Sequence, residues 1–145
     1  MKSSNREEVI DHNAKELFDI VLDIESYPYF IPWCSAMKVH SKSDKEIYAD
    51  MIVWYKYFMP QKFGSHVLFD KKKLNISTTY IEGPLKDLKT NWLFKSIKKN
   101  KTLICFSVEF EFKRFFHQKI AETFFPLIEN KMIESFKIRA DEILD

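Results

Sequence analysis

The feature that most constrains this fold is the alternation of side-chain type over residues 102–112. Glu109 and Glu111 fall on one side, and Leu103 and Cys105 are the apolar exceptions on that side. The opposite, mostly apolar side consists of Thr102, Ile104, Phe106, Val108, Phe110 and Phe112. Successive side chains of a β-strand point to opposite faces of the sheet, so this pattern predicts an antiparallel strand with one buried and one solvated face.

Four further segments of the chain show the same period of two, which indicates more strands of this kind. They are residues 46–56, 63–69, 74–80 and 88–96. The connections between them are short and are polar or contain proline, as hairpin turns require. Residues 3–11 form a weaker strand candidate at the start of the chain. The pattern predicts one N-terminal strand followed, after a helical region, by a six-stranded meander, of which these four segments and residues 102–112 are the strands that alternate.

Helical spacing of apolar residues occurs near the start of the chain and over its last 30 residues. Asn13 is a typical N-cap for the first helix, and Pro28 and Pro32 allow only a short helical turn after it. The stripe of the last helix consists of Phe116, Ile120, Phe124, Leu127 or Ile128, Met132, Phe136, Ala140 and Ile143. Pro126 should kink that helix, because proline removes a backbone donor.

These elements predict a single α+β domain spanning residues 1–145. A curved antiparallel sheet of about seven strands surrounds a long C-terminal helix, and two short helices follow strand 1. The apolar face of the sheet and the apolar stripe of the helix must bury each other. The chain has 145 residues, of which 46% are hydrophobic, so it is long enough for a substantial core. The sheet either closes tightly or encloses an apolar cavity, and the pattern leaves both open.

Motifs for catalysis and for metal binding are missing from the sequence. It has no G-x-S-x-G or H-E-x-x-H motif, and its two isolated glycines exclude a phosphate-binding loop. Ser65 and His66 are adjacent on a strand and point to opposite faces, so they cannot act as a pair. We interpret Cys34 as a packed, inert thiol. We therefore predict no catalytic residues, no metal site and no required cofactor.

Charge collects at one predicted end of the sheet. Successive turns of a meander alternate between its two ends, so the turns at 42–46, 70–73 and 97–101 share one end. The basic patch predicted there consists of Lys71, Lys72, Lys73, Lys98, Lys99 and Lys101. Lysines at hairpin tips are ordinary protection against edge pairing, or else they form a surface for RNA phosphate or acidic lipid.

The opposite predicted end of the sheet carries unusually apolar turns. Phe58, Met59 and Leu85 lie in the turns at 57–62 and 82–87. Exposed apolar loops mark a binding mouth or a membrane contact. Alternatively, these residues fold back and plug the end of the sheet.

Three motifs resemble a known family. Residues 27–34 read YPYFIPWC, which resembles the family's Y-P-x-F-x-P-W-C segment. Residues 82–94 match its E-G-P-F/L-x-x-L-x-x-x-W-x-F, and residues 106–112 resemble the strand before its last helix. The chain is thus similar, over nearly its whole length, to the START-like helix-grip superfamily. Within it, the motifs resemble the coenzyme Q-binding branch, which includes bacterial ribosome-association toxins.

The resemblance implies non-catalytic binding of ubiquinone or another polyprenyl lipid between the sheet and the last helix. Such proteins support respiration by chaperoning or delivering the quinone, which is the bound ligand rather than a cofactor. Aromatic residues on the inward face could line such a cavity. The candidate lining residues are Trp33, Met51, Val53, Tyr55, Phe63, Tyr80, Trp92, Phe94, Phe106, Phe110, Phe124 and Met132.

The resemblance also implies two alternatives. One is a ribosome-association inhibitor that binds the large ribosomal subunit through the lysine-bearing end. The other is a polyketide cyclase or aromatase. We rank it lower because no inward-facing acid–base pair is visible in the sequence. The short N-terminus resembles that of bacterial members. We expect a cytoplasmic protein with no DNA partner, and peripheral contact with the inner membrane is left open.

Overall fold

The computed structural model describes residues 2–54, 60–113 and 130–144, and it contains seven strands, two α-helices and one 3-10 helix in these ranges. The elements in chain order are β1 (Lys2–Ile10), α1 (Ala14–Leu22), the 3-10 helix (Ile24–Tyr29), β2 (Cys34–Lys42), β3 (Glu46–Val53), β4 (Gln61–Asp70), β5 (Asn75–Glu82), β6 (Leu85–Lys98), β7 (Lys101–Phe112) and α2 (Met132–Ile143). This order confirms the predicted α+β class.

All seven strands form one antiparallel sheet in the order β1-β7-β6-β5-β4-β3-β2. The meander from β2 to β7 is therefore continuous. β1 pairs with β7 and forms one edge of the sheet, and β2 forms the other edge. Register shifts interrupt the pairing at several places, including Cys34/Ala36 in β2 and Gly64/Ser65 in β4. Such bulges bend a strand and increase its twist, which suits a sheet that curves around a helix.

The alternation over residues 102–112 predicted the buried face of β7 correctly. Of the predicted inward set, the five residues from Thr102 to Phe110 are buried and Phe112 is partly buried. The hydroxyl of Thr102 lies inside the core because it donates a hydrogen bond of 2.7 Å to the carbonyl oxygen of His12. This bond ties the start of β7 to the loop that leads into α1.

Asn13 caps α1 as predicted. Its side-chain oxygen accepts hydrogen bonds from the backbone amides of Lys15 and Glu16 at 3.0 and 3.2 Å. This satisfies amides that a helix N-terminus leaves without partners. The buried face of α1 consists of Ala14, Leu17, Phe18, Ile20 and Val21.

The described part of the C-terminal helix confirms most of the predicted stripe. Phe136 and Ala140 are buried and Met132 packs against the core. Ile143 is a correction, because 51% of it is exposed at the last residue of α2, where no further turn covers it. The predicted stripe positions between 116 and 128, and the kink at Pro126, lie outside the described residues.

Candidate functional site: an apolar cavity between the sheet and the C-terminal helix

A cavity of about 120 Å³ lies between the inward face of the sheet and α2. Strands β2 to β7 line it on one side. The other side is formed by α1, the 3-10 helix and the segment after it, and α2, through Val21, Ile24, Tyr27, Ile31 and Phe136. Nearly all of these side chains are apolar, so the cavity favours an apolar guest.

Six of the predicted lining residues border this cavity. They are Trp33, Met51, Phe63, Trp92, Phe106 and Met132. They come from four strands, the segment before β2 and the start of α2, so the fold gathers positions that are far apart in sequence. Their contact with a ligand remains a prediction.

Four other predicted lining residues do not border the cavity. Val53, Phe94 and Phe110 are buried in the surrounding core. The hydroxyl of Tyr80 instead accepts a hydrogen bond from the Leu85 amide at 3.0 Å and donates one to the Leu85 carbonyl at 2.9 Å. The alternation identified the correct face for these residues but could not locate the empty space along each strand. Tyr55 and Phe124 lie outside the described residues.

Phe136 is the centre of an aromatic wall. Its ring meets those of Tyr27 and Phe30 at 5.3 Å and that of Trp92 at 5.2 Å, all edge to face. Trp92 also contacts Phe106, with ring centroids 4.4 Å apart. Edge-to-face aromatic pairs add stabilisation beyond the burial of their area. The rings of the wall therefore hold one another in a fixed arrangement, against which a planar guest can pack.

Tyr27 is a titratable residue on the cavity wall, and its proton is held in place. The hydroxyl donates a short hydrogen bond to the carbonyl oxygen of Val21, at the end of α1. Burial, with smaller contributions from Cys34 and Asp23, raises the pKa of Tyr27 above its ordinary value. Tyr27 therefore stays neutral and fixes the 3-10 helix against α1.

Cys34 lies next to this wall but outside the cavity. Cys34 is 3% exposed, and its Sγ lies 3.7 Å from the carbonyl oxygen of Ala36. Burial raises the pKa of the Cys34 thiol to about 11. The thiol is therefore protonated at neutral pH, as an unreactive, packed cysteine requires.

The sequence patterns did not single out several lining residues. Six of them are apolar residues on β2, on the predicted inward faces of β3 to β6 and on the stripe of α2, namely Met37, Ala49, Val67, Ile76, Leu88 and Phe136. The others form two groups. The first group is Val21, Ile24, Tyr27 and Ile31. These residues lie on or next to short helical elements, which are too short for the spacing of their apolar residues to show which of them face the cavity. The second consists of three hydroxyl residues, Ser65, Thr78 and Thr90, on β4, β5 and β6. A signal for the second group exists in the sequence, because each replaces an apolar residue at an inward position of an alternating strand.

The predicted mouth is only partly described. Leu85 is a correction, since it is 1% exposed and begins β6, where its backbone is bonded to Tyr80. Its burial agrees with the alternative that the apolar turn residues fold back and plug the end of the sheet. Phe58 and Met59 lie outside the described residues. At this end of the sheet Tyr29 and Trp54 are 80% and 58% exposed.

The lysine-bearing hairpin tips share one end of the sheet, as the meander requires. Lys71, Lys72, Lys73, Lys98 and Lys99 are exposed, and Lys101 is half-buried. In the β4–β5 turn the carboxylate of Asp70 accepts hydrogen bonds from the Lys72 and Lys73 amides. The bond from Lys73 contributes most to holding the pKa of Asp70 below its ordinary value. The turn is therefore ordered, and its three lysines are exposed.

Two further observations bear on the kind of site. Within 2–54, 60–113 and 130–144, no cluster of three or more His, Cys, Asp or Glu side chains could hold a metal ion. No helix in those ranges is both long and apolar enough to cross a membrane.

Comparison with known proteins decides the family. Residues 10–137 match the family described as polyketide cyclase/dehydrase and lipid transport. The chain belongs to this family. Its fold is similar to that of a START superfamily protein from Mycobacterium smegmatis, with a TM-score of 0.82 at 13% identity over 97% of each chain. The predicted START-like fold is thereby confirmed.

Two curated relatives confirm the predicted branch of the family. The chain is 31% identical to the ribosome association toxin RatA of Rickettsia prowazekii (strain Madrid E), over 99% of each protein. It is 28% identical to the mitochondrial coenzyme Q-binding protein COQ10 of Drosophila melanogaster, over 90% of this chain. The match covers 55% of the Drosophila protein, so the chain spans about half of that relative.

Proposed function

We propose that this chain binds ubiquinone, or a similar polyprenyl lipid, without catalysis and acts as a lipid chaperone that supports respiratory electron transport. The observation that carries the proposal is the aromatic cavity between the sheet and α2. The name of the Drosophila relative, a coenzyme Q-binding protein, supports the choice of ligand. The family description, which includes lipid transport, supports the ligand class.

The cavity volume limits what part of such a ligand it can hold. An engineered protein cavity of about 150 Å³ binds benzene. The present cavity, at about 120 Å³, therefore suits one ring or one or two isoprene units rather than a long tail. Burial of about 120 Å² of ring surface at about 25 cal/mol per Å² contributes about 3 kcal/mol. This is weaker than millimolar binding, so tail and polar contacts must supply the rest.

The chemistry of the cavity wall supports binding rather than catalysis. General acid–base catalysis needs a group that exchanges its proton near the working pH. The titratable group on the described wall is Tyr27, whose proton is bonded to Val21 and whose pKa is raised. The described wall thus favours a polyketide cyclase less than a carrier.

Tryptophan fluorescence tests this proposal directly. Trp33 and Trp92 line the cavity, whereas Trp54 is exposed outside it. Titration with decylubiquinone should quench the emission of the Trp54→Phe variant by the same absolute amount as that of the wild type. The Trp33→Phe/Trp92→Phe variant should lose most of the quenching. Unchanged emission in all three proteins, with no ligand retained on gel filtration, would rule out binding in this cavity.

A second candidate function, association with the large ribosomal subunit, is favoured by a different observation. Two hairpin tips present five exposed lysines, from Lys71 to Lys73 and at Lys98 and Lys99, at one end of the sheet. The Rickettsia relative, similar over its full length, is named a ribosome association toxin. A lysine-rich surface of this kind would bind ribosomal RNA through its phosphates.

Co-sedimentation with large ribosomal subunits tests this second function. Binding should weaken steeply as salt rises, because each phosphate contact releases counterions. The variant Lys71→Glu/Lys72→Glu/Lys73→Glu should lose binding by about tenfold or more. The matched control Lys89→Glu/Lys131→Glu/Lys137→Glu changes equally many exposed lysines elsewhere and should bind as the wild type does. Equal loss in both variants would show that net charge alone matters.

A further inference from the structure

The cavity has one polar region, on the middle of the sheet. Ser65, Thr78 and Thr90 lie on the neighbouring strands β4, β5 and β6 and all border the cavity. Thr78 stands directly opposite Thr90 in the register of β5 and β6. Ser65 is opposite Tyr80, so it is a diagonal neighbour of Thr78 on the same face. Directly opposite neighbours have Cβ atoms about 5 Å apart and diagonal neighbours about 7–8 Å, so the three side chains form one group on the inward face.

These three hydroxyls have no hydrogen-bond partner among the described residues. Thr102 donates to His12, and Ser77, on the other face of β5, donates to Asn91, both at 2.7 Å. Every fully enclosed side-chain nitrogen or oxygen in the described part has a partner. The three hydroxyls are therefore accessible from the cavity rather than sealed in the core.

Unpaired hydroxyls in an apolar cavity cost stability unless something in the cavity bonds to them. A valine in place of either threonine would have the same shape and would continue the apolar face. The opposite wall, from Val21 to Ile31 and at Phe136, is apolar apart from Tyr27, whose hydroxyl is already bonded to Val21. The cavity thus distinguishes an oxygen-bearing side of a guest from a hydrocarbon side.

We infer that Ser65, Thr78 and Thr90 bind the ring oxygens of the ligand, which orients its ring against the sheet and its tail away from these strands. This inference rests on the proposed function and deepens it. Each hydroxyl offers one donor and two acceptor positions. It can donate to a quinone carbonyl and accept from the hydroxyl of a quinol, so both redox forms fit. A saturated hydrocarbon or a polyprenyl tail satisfies none of these positions.

The test compares two probes that differ in ring oxygens, decylubiquinone and decylbenzene, by isothermal titration calorimetry, and the loss of tryptophan fluorescence gives a second readout for the quinone. The wild type should bind decylubiquinone more tightly than decylbenzene. The variant Thr78→Val/Thr90→Val should bind decylubiquinone about tenfold or more weakly, since two hydrogen bonds are lost. Its affinity for decylbenzene should stay the same or rise. The matched control Thr79→Val, on the exposed face of β5, should behave as the wild type does.

A second variant separates hydroxyl chemistry from packing. Thr78→Ser/Thr90→Ser keeps both hydroxyls but loses the methyl groups, and it should retain the preference for decylubiquinone. Unchanged decylubiquinone affinity in the valine variant would overturn the inference while leaving the proposed function intact. Loss of preference in the serine variant, equal to that in the valine variant, would also overturn it. Failure of the wild type to bind either probe would overturn both the inference and the proposed function.

Discussion

At the scale of single residues, Phe136 connects the packing of the fold to the geometry of the site. It is 3% exposed, and its ring contacts three other aromatic rings. It also lines the cavity. A single side chain therefore holds α2 against the 3-10 helix and β6 and sets one wall of the binding space.

Phe136→Ala should lower the free energy of unfolding by about 3–5 kcal/mol, as expected for a large aromatic residue in a core. The cost arises from lost burial and from the enlarged cavity. Urea denaturation followed by circular dichroism measures it. Ile138→Ala is the control on the same helix, because Ile138 is 51% exposed and should change stability little. A Phe136 effect below about 1 kcal/mol would contradict this role.

Cys34 predicts a dependence of stability on alkaline pH. Its folded pKa of about 11 lies above the ordinary 9.0, so the neutral thiol is favoured in the native state. The resulting stability is fully present below about pH 9 and is lost as pH rises toward 11. Unfolding free energies of the wild type should therefore fall more steeply over this range than those of Cys34→Ala. Parallel curves would show that Cys34 makes no such contribution.

At the scale of elements, the sequence predicted the strands and their buried faces because burial on one side imposes a period of two. Thr102 to Phe110 and Ile47 to Val53 follow this rule closely. The same rule misplaced Leu85, because a strand that begins directly after a glycine and a proline reads as a loop. It also gave no warning that Ile143 would be exposed, since helical spacing does not reveal where a helix passes its neighbours.

The turn between β5 and β6 shows how the Glu-Gly-Pro-Leu motif works. Gly83 has φ of 149°, and a Cβ there would lie 2.7 Å from the Lys62 carbonyl oxygen and 2.8 Å from Tyr80 Oη. Only glycine fits this close approach. The Tyr80 hydroxyl then bonds both backbone groups of Leu85. The motif therefore fixes a turn and the start of β6.

Tyr80→Phe should lower the free energy of unfolding by about 1–3 kcal/mol, because both hydrogen bonds to Leu85 are lost. Thermal or urea unfolding measures the change. Tyr48→Phe is the control, since Tyr48 is on the exposed side of β3, where it stacks on His66. Equal stability of Tyr80→Phe and the wild type would mean that the turn is held by Gly83 and Pro84 alone.

At the scale of the whole molecule, the cavity exists only because the sheet, α1, the 3-10 helix and α2 come together around it. Sequence patterns predicted that an inward face rich in aromatic residues would be present, and six predicted residues border the cavity. The sequence patterns could not predict the volume of the cavity or its position along the strands, since both depend on how far the helices lie from the sheet. The inward Ser65, Thr78 and Thr90 were visible in the sequence but had no meaning without that position.

The most direct test of the central claim is mass spectrometry of organic extracts from the protein purified from its native host. We expect an isoprenoid quinone in an amount comparable to that of the protein, and a smaller amount of it in extracts of the Phe136→Ala variant. An extract without isoprenoid lipid, with large-subunit ribosomal proteins co-purifying instead, would contradict the account and favour ribosome association.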